Sequence, residues 1–148
     1  MAYNKFDNYA LLGRVGELMV MNELLRLGYD VIDVTNNPIA QAADYDLIAK
    51  KDTSAATKIE VKTYSKPISN LWIEMECPQS LSGKGWFRIT EADYLAFVDY
   101  TNNSIHLIAI SDVKELVKDR PQSEWINGCI LVSLKDAAAT TSYRLVNI

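Results

Sequence analysis

Apolar residues recur three or four positions apart near the start of the chain, at Leu11, Val15, Leu18, Met21 and Leu25. This spacing is typical of an amphipathic helix and predicts one over residues 6–27. Asn4 or Asp7 is suited to cap its start, and Gly28 to end it. Gly13 and Gly16 inside the helix each cost about 1 kcal/mol relative to Ala. Small residues there let the sheet or a phosphate backbone approach closely.

Further along, apolar and polar residues alternate with the period of a β-strand. Strands are predicted at residues 29–34, 44–49, 58–63, 71–77, 94–99, 105–110, 129–134 and 142–148. Residues 39–43 read as a loop, and residues 78–85 are the most loop-like stretch, suited to a flexible flap that contacts phosphate. A second helix is predicted over residues 111–118, with Asp112 and Glu115 as a capping box. This order of elements predicts an α/β fold with a mixed central sheet flanked by helices, in one domain over residues 1–148.

Two of these strands place charged residues together. Glu60 and Lys62 point to the same face of residues 58–63, about 7 Å apart, because successive side chains of a strand alternate. A hairpin-like pairing with residues 44–49 would bring the Asp46 carboxylate beside Glu60. Neighbouring carboxylates resist ionising without a counter-charge. We therefore expect a divalent cation, and Mg²⁺ is the natural candidate because it prefers oxygen ligands.

Asp46 followed by Glu60, Val61 and Lys62 on the next strand resembles the PD-(D/E)XK nuclease superfamily. The segment Gly-Arg-Val-Gly-Glu-Leu at residues 13–18 resembles the first helix of its Holliday-junction-resolvase-like branch, which has a further acid, here Glu17. The resemblance spans roughly residues 11–110. Tyr45 stands where the name of the family expects Pro.

The resemblance implies a restriction-endonuclease-like core and a metal-dependent endodeoxyribonuclease that hydrolyses phosphodiester bonds. It implies Asp46 and Glu60 as ligands of Mg²⁺ (with Mn²⁺ as a substitute), together with Glu17 and the backbone carbonyl of Val61. Lys62 would position the attacking water or stabilise the transition state, so that Glu17, Asp46, Glu60 and Lys62 form the catalytic set. Branched DNA, a homodimer, and a role in DNA recombination or repair are further implications.

Composition adds context to this hypothesis. The net charge of −4 argues mildly against a nucleic-acid partner, yet residues 50–88 contain seven basic and four acidic residues. We expect the exposed lysines of this region to bind nucleic acid: Lys50, Lys51, Lys66 and Lys84. The sequence has no apolar run of 18 residues and no signal-peptide core at its start, so we expect a cytoplasmic protein without membrane contact. Cys77 and Cys129 lack ligand spacing and are expected to be buried free thiols, and the single histidine, His106, is expected to be structural.

Three alternatives remain open at this level. A restriction-type or repair nuclease would use the same fold and residues on another substrate. A relative that binds nucleic acid or a protein without cutting would have no need of the Asp46, Glu60 and Lys62 set. In a metal-free interaction module, two acids and a lysine would be together by coincidence, since such short motifs also arise by chance.

Overall fold

The structure is a computed structural model that describes residues 5–148. It contains four α-helices in this range: α1 Lys5–Arg26, α2 Pro38–Ala42, α3 Ile110–Val117 and α4 Leu134–Ala138. It also contains eight strands in the same range: β1 Asp30–Asp33, β2 Leu47–Lys50, β3 Thr57–Tyr64, β4 Asn70–Glu74, β5 Tyr94–Asp99, β6 Ser104–Ala109, β7 Cys129–Ser133 and β8 Arg144–Asn147. Helix capping by Asn4 or Asp7 concerns side chains outside the described part.

Six strands form the central sheet in the order β1-β2-β3-β5-β6-β8. Neighbours are antiparallel except β3 and β5, which run parallel with Ile59 opposite Tyr94. The parallel pair follows from the long connection between β3 and β5, which contains β4 and a 3-10 turn at Trp86–Arg88. Strand β4 leaves the central sheet and pairs with β7 in a separate two-stranded antiparallel sheet.

Each face of the central sheet packs against its own apolar layer. On one face, Val20 and Leu24 of α1 pack on residues such as Leu47, Ile59 and Val61. On the other face, the β4–β7 sheet and helices α3 and α4 enclose a second cluster around Phe97, which is fully buried. The predicted mixed α/β fold with a central sheet flanked by helices is confirmed.

Helix α1 covers residues 6–26 of the predicted helix but buries a different face from the predicted stripe. Leu11, Leu18 and Leu25 are exposed, seven residues apart. The face against the sheet consists of Gly16, Val20 and Leu24, at four-residue intervals. Gly16 lies so close to Thr63 of β3 that a Cβ would be 1.8 Å from Thr63 Oγ1, whereas a Cβ on Gly13 would meet nothing within 4 Å. Of the two expected neighbours of these glycines, it is the sheet that approaches, at Gly16.

Two local predictions are wrong for identifiable reasons. Residues 39–43 belong mostly to helix α2, because the Asn37 side chain caps the N–H groups of Ile39 and Ala40 and Pro38 begins the helix. The capping box of α3 does not form, since the cap residue is Ala109 without a side-chain hydrogen bond. Asp112 instead accepts hydrogen bonds from the backbone and hydroxyl of Ser142, which hold the segment before β8.

Other predictions concern single residues. Cys77 and Cys129 are free, as expected, but only partly buried. His106 is buried and its Nδ1 lies 2.7 Å from the Tyr143 hydroxyl, which agrees with a structural role. None of the helices in residues 5–148 has the length and apolarity needed to cross a membrane.

Candidate active site

The β2–β3 hairpin brings Asp46 to Glu60. The ladder pairs Leu47 with Ile59, so Asp46, immediately before β2, lies at the level of Glu60. The Asp46 N–H donates to the Ile59 carbonyl at 2.9 Å, and Asp46 Oδ2 accepts from the Val61 N–H at 2.9 Å. The side chain of Asp46 thus continues the ladder where the backbones separate. Since the N–H and C=O of one residue lie on the same edge of a strand, the Val61 carbonyl faces this same gap.

Glu60 and Lys62 share one face of β3, as predicted, and this face is directed away from α1, since Ile59 and Val61 of the other face pack with Val20 and Leu24. Their side chains form an ion pair between Lys62 Nζ and Glu60 Oε1. Lys62 Nζ also lies 4.7 Å from the centre of the Trp86 ring, within cation–π range. The Glu60 side chain is 4% exposed and that of Lys62 is 27% exposed. The lysine therefore stands between a buried carboxylate and solvent.

The acids around Lys62 favour positive charge at this position. Burial raises the pKa of Glu60 to about 9, with Lys62 acting against this and Asp46 and Asp44 adding to it. Burial by itself lowers the pKa of Lys62, but the carboxylates of Glu60, Asp44 and Asp46 together outweigh it and the pKa is raised. The positive charge of Lys62 is thus stabilised by these carboxylates.

Glu17 approaches the site from the α1 side of the sheet and already has a cationic partner. Arg14 donates to Glu17 Oε2 at 2.9 Å and to Asp33 Oδ2 at 2.6 Å, so one guanidinium ties the helix to the end of β1. Burial raises the pKa of Glu17, Arg14 acts against this, and Asp46 adds to it. Sequence reasoning missed Arg14, although its three-residue spacing from Glu17 on a helix was a usable signal.

Asp44 is a further residue that sequence reasoning left without a role. It has a backbone φ of 52°, in the left-handed region, so the strand begins only at Leu47. The Thr90 hydroxyl donates to its carbonyl at 2.6 Å and fixes this turn. Its Oδ2 is buried without a hydrogen-bond partner in the described residues. Burial raises the pKa of Asp44, while Lys62 lowers it, which places the two charges within reach of each other's field.

The side chains of the site can be compared with the ligands that the expected metal ion needs. Among the described residues, no three His, Cys, Asp or Glu side chains are arranged to hold one metal ion. A preformed set of Glu17, Asp46 and Glu60 is therefore absent there, and joint ligation by all three stays a prediction. Asp46 and Glu60 alone fit Mg²⁺, which is often held by one or two carboxylates with water and substrate phosphate completing its shell.

The four predicted nucleic-acid-binding lysines lie in different places. Lys50 and Lys51 are at the far end of the β2–β3 hairpin, four and five residues beyond Asp46 and hence about 13–17 Å along the strand. Lys51 is engaged there, donating to the Leu27 carbonyl at 2.9 Å. Lys66 is exposed in the loop that follows β3, on the side of Lys62, and Lys84 is exposed in the loop between β4 and Trp86. Only Lys66 directly follows the strand end that contains the site.

Comparison with known proteins assigns no family to the chain. No family model matches the chain. No curated protein matches it significantly. Among solved structures, the chain is similar to the bacterial homing endonuclease I-Ssp6803I, with a TM-score of 0.49 and 13% identity over 94% of this chain and 75% of that one. The residues of the site are therefore what indicates a function for this chain.

Proposed function

We propose that the protein is a metal-dependent endodeoxyribonuclease that hydrolyses phosphodiester bonds at Asp46, Glu60 and Lys62. One observation supports this above all others. The antiparallel register places Asp46 at the level of Glu60, and the Glu60 carboxylate is in direct contact with Lys62. Two carboxylates and an ammonium at one strand end match what cleavage of a phosphodiester needs, because the carboxylates can hold a divalent cation that acidifies the attacking water, and the ammonium can offset negative charge on the phosphate.

Asp46 and Glu60 would hold Mg²⁺ or Mn²⁺, with the Val61 carbonyl facing the same gap. When bound, the metal would polarise a phosphoryl oxygen and acidify a water molecule. The main chain orients one of the two proposed ligands, since the Val61 N–H donates a hydrogen bond to the Asp46 carboxylate. Burial of Glu60 excludes water from one side of the site and strengthens its attraction to cations.

Lys62 would donate a hydrogen bond to a phosphate oxygen and offset the charge that develops as water adds to phosphorus and the P–O bond to the leaving group breaks. Its partial exposure is compatible with contact to a substrate. The ring of Trp86 limits the directions in which its ammonium can move. Glu17 would orient water or join the ligands only after leaving Arg14, so we assign it a supporting role.

The finer proposal is a structure-specific enzyme like a Holliday-junction resolvase, acting as a homodimer on branched DNA. It rests on the residues of the α1 segment 13–18. Affinity would then come mainly from phosphate contacts and fall steeply with salt. A four-way junction competed against linear duplex at fixed salt, together with sedimentation, tests this; a monomer that cuts both equally well would remove the resolvase proposal and leave the nuclease one.

The nuclease proposal itself is tested by removing each acid without changing its size. Asp46→Asn and Glu60→Gln should each abolish Mg²⁺-dependent nicking while the protein stays folded by circular dichroism and thermal denaturation. Glu115→Gln is a matched control, because Glu115 is an exposed acid on α3 whose one ion-pair partner among the described residues is Lys118. Full nicking activity in either site variant would contradict the proposed function.

A further inference from the structure

Lys62 and a metal ion compete for the same carboxylate. In the structure, the Lys62 ammonium is paired with Glu60. If Glu60 ligates a cation, as the proposed function requires, the ion pair between Lys62 and Glu60 is weakened, since two positive charges at one carboxylate repel each other. Lys62 then needs a second anionic partner to stay close to the substrate.

Asp44 offers such a partner. Its Oδ2 is buried and accepts no hydrogen bond from the described residues. Leaving a buried acceptor unpaired destabilises a protein, so such atoms in native proteins call for an explanation. Two hydrogen bonds that do not involve its side chain hold the backbone of Asp44. The Thr90 hydroxyl donates to the Asp44 carbonyl, and the Asp44 N–H donates to the Gln41 carbonyl.

The electrostatics of the site agree with this pairing. Asp44 raises the pKa of Lys62, and Lys62 lowers that of Asp44. Their side chains are not in an ion pair in the structure, whereas Lys62 and Glu60 are. Asp44 is therefore within the field of the ammonium while its buried oxygen stays free to receive it.

We propose that Asp44 is a positioning residue that takes over the Lys62 ammonium when Glu60 binds a divalent cation. This inference rests on the proposed function, since it assumes a cation at Glu60. Without the cation, Lys62 stays in contact with Glu60. With it, Lys62 donates to Asp44 Oδ2, which satisfies the buried oxygen and keeps the ammonium beside the phosphate instead of releasing it to solvent.

A double-mutant cycle on Asp44 and Lys62 tests this, with Mn²⁺ affinity measured by calorimetry in the absence of nucleic acid. Asp44→Asn keeps the size of the side chain and tolerates the left-handed backbone. We expect it to weaken Mn²⁺ binding about tenfold, because Lys62 then stays on Glu60. Lys62→Met should strengthen Mn²⁺ binding, and in that background Asp44→Asn should cost no more than about threefold, which reflects only the lost charge.

The controls separate positioning from simple charge and from folding. Glu74→Gln removes another acid that acts on Asp44, and it should weaken Mn²⁺ binding by the same factor with or without Lys62. Thermal midpoints without metal check that each variant is folded. If Asp44→Asn does not fold, Asp44→Gly replaces it, since glycine adopts the same φ without strain.

The outcomes distinguish this inference from the proposed function. Equal losses from Asp44→Asn in both backgrounds, with Mn²⁺ bound by the wild type, would overturn the positioning role and leave the metal site in place. A wild type that binds no Mn²⁺ by calorimetry, alone or with DNA, would overturn both. A loss that depends on Lys62 would support the transfer of the ammonium to Asp44.

Discussion

The contact between Gly16 and Thr63 sets the distance between α1 and the sheet, and Gly16→Ala tests its importance. A Cβ at residue 16 would lie 1.8 Å from Thr63 Oγ1 and 2.9 Å from Thr63 Cβ. Both distances are far below ordinary van der Waals contact, and the Thr63 side chain is short and β-branched, so it has little freedom to turn away. The helix must therefore move outward or Thr63 must leave its rotamer.

The magnitude follows from two opposing effects. Replacing a helical Gly by Ala gains about 1 kcal/mol of unfolding free energy through helix propensity. Forcing extra volume into a packed interface costs about 1–3 kcal/mol. The net expectation for Gly16→Ala is a loss of about 0–2 kcal/mol of unfolding free energy. Gly13→Ala is the matched control, because the same helix gains the same propensity and the new Cβ meets nothing within 4 Å; it should gain about 1 kcal/mol.

Urea denaturation of the two variants measures this difference, which should be about 1–3 kcal/mol and about 2–12 °C in Tm for a chain of this size. Thr63→Ala in the Gly16→Ala background should recover a large part of the loss, since it removes Oγ1 and one methyl group from the contact. Equal stability of Gly16→Ala and Gly13→Ala, or no recovery by Thr63→Ala, would show that the close contact does not limit the packing of α1.

Two further predictions concern charges outside the core. The hydrogen bond from Arg14 lowers the pKa of Asp33 to about 2, so its stabilising effect is present above the unfolded pKa near 4 and is lost as the pH falls toward 2. Asp33→Asn should therefore lower the unfolding free energy at pH 7 by about 1 kcal/mol or less, because the ion pair is partly exposed. Near pH 2 the variant should be as stable as the wild type. A difference in denaturation midpoints that does not change with pH would contradict this. Lys66→Ala should weaken DNA binding and lower its salt dependence, while Lys51→Ala should not, because Lys51 lies at the opposite end of the hairpin; fluorescence anisotropy over a salt series decides, and equal effects would refute the placement of DNA near Lys66.

The central part of the site could be predicted because it depends on short-range regularities. Alternation along β3 determines that Glu60 and Lys62 share a face, and the pairing of two strands adjacent in sequence brings Asp46 to them. These relations need no knowledge of the rest of the fold. The partners of Arg14 and Lys62 were harder to predict, because Asp33 and Trp86 reach them only through the tertiary packing of α1 and of the segment after β4.

Local sequence patterns did not predict the structure where tertiary packing determines it. The stripe of Leu11, Leu18 and Leu25 has good helical spacing, yet the buried face consists of Gly16, Val20 and Leu24, because at Gly16 the sheet leaves no room for a side chain. Asp112 has the sequence position of a capping residue, but Ser142, thirty residues away, offers it two hydrogen bonds. The turn at Asp44 was read as strand because its left-handed backbone depends on Thr90, which is distant in sequence.

The two faces of β3 also determine how the sheet assembles. Ile59 and Val61 belong to the apolar cluster under α1, and Glu60 and Lys62 to the opposite face. A slip of β3 by one residue would exchange the faces and drive both charges among aliphatic side chains, at a cost of several kcal/mol. The charged pair therefore selects against misaligned pairing during folding. Replacing both residues by apolar ones would remove that penalty, so a chain changed in this way is expected to populate shifted alignments of β3 even if its native state gains stability.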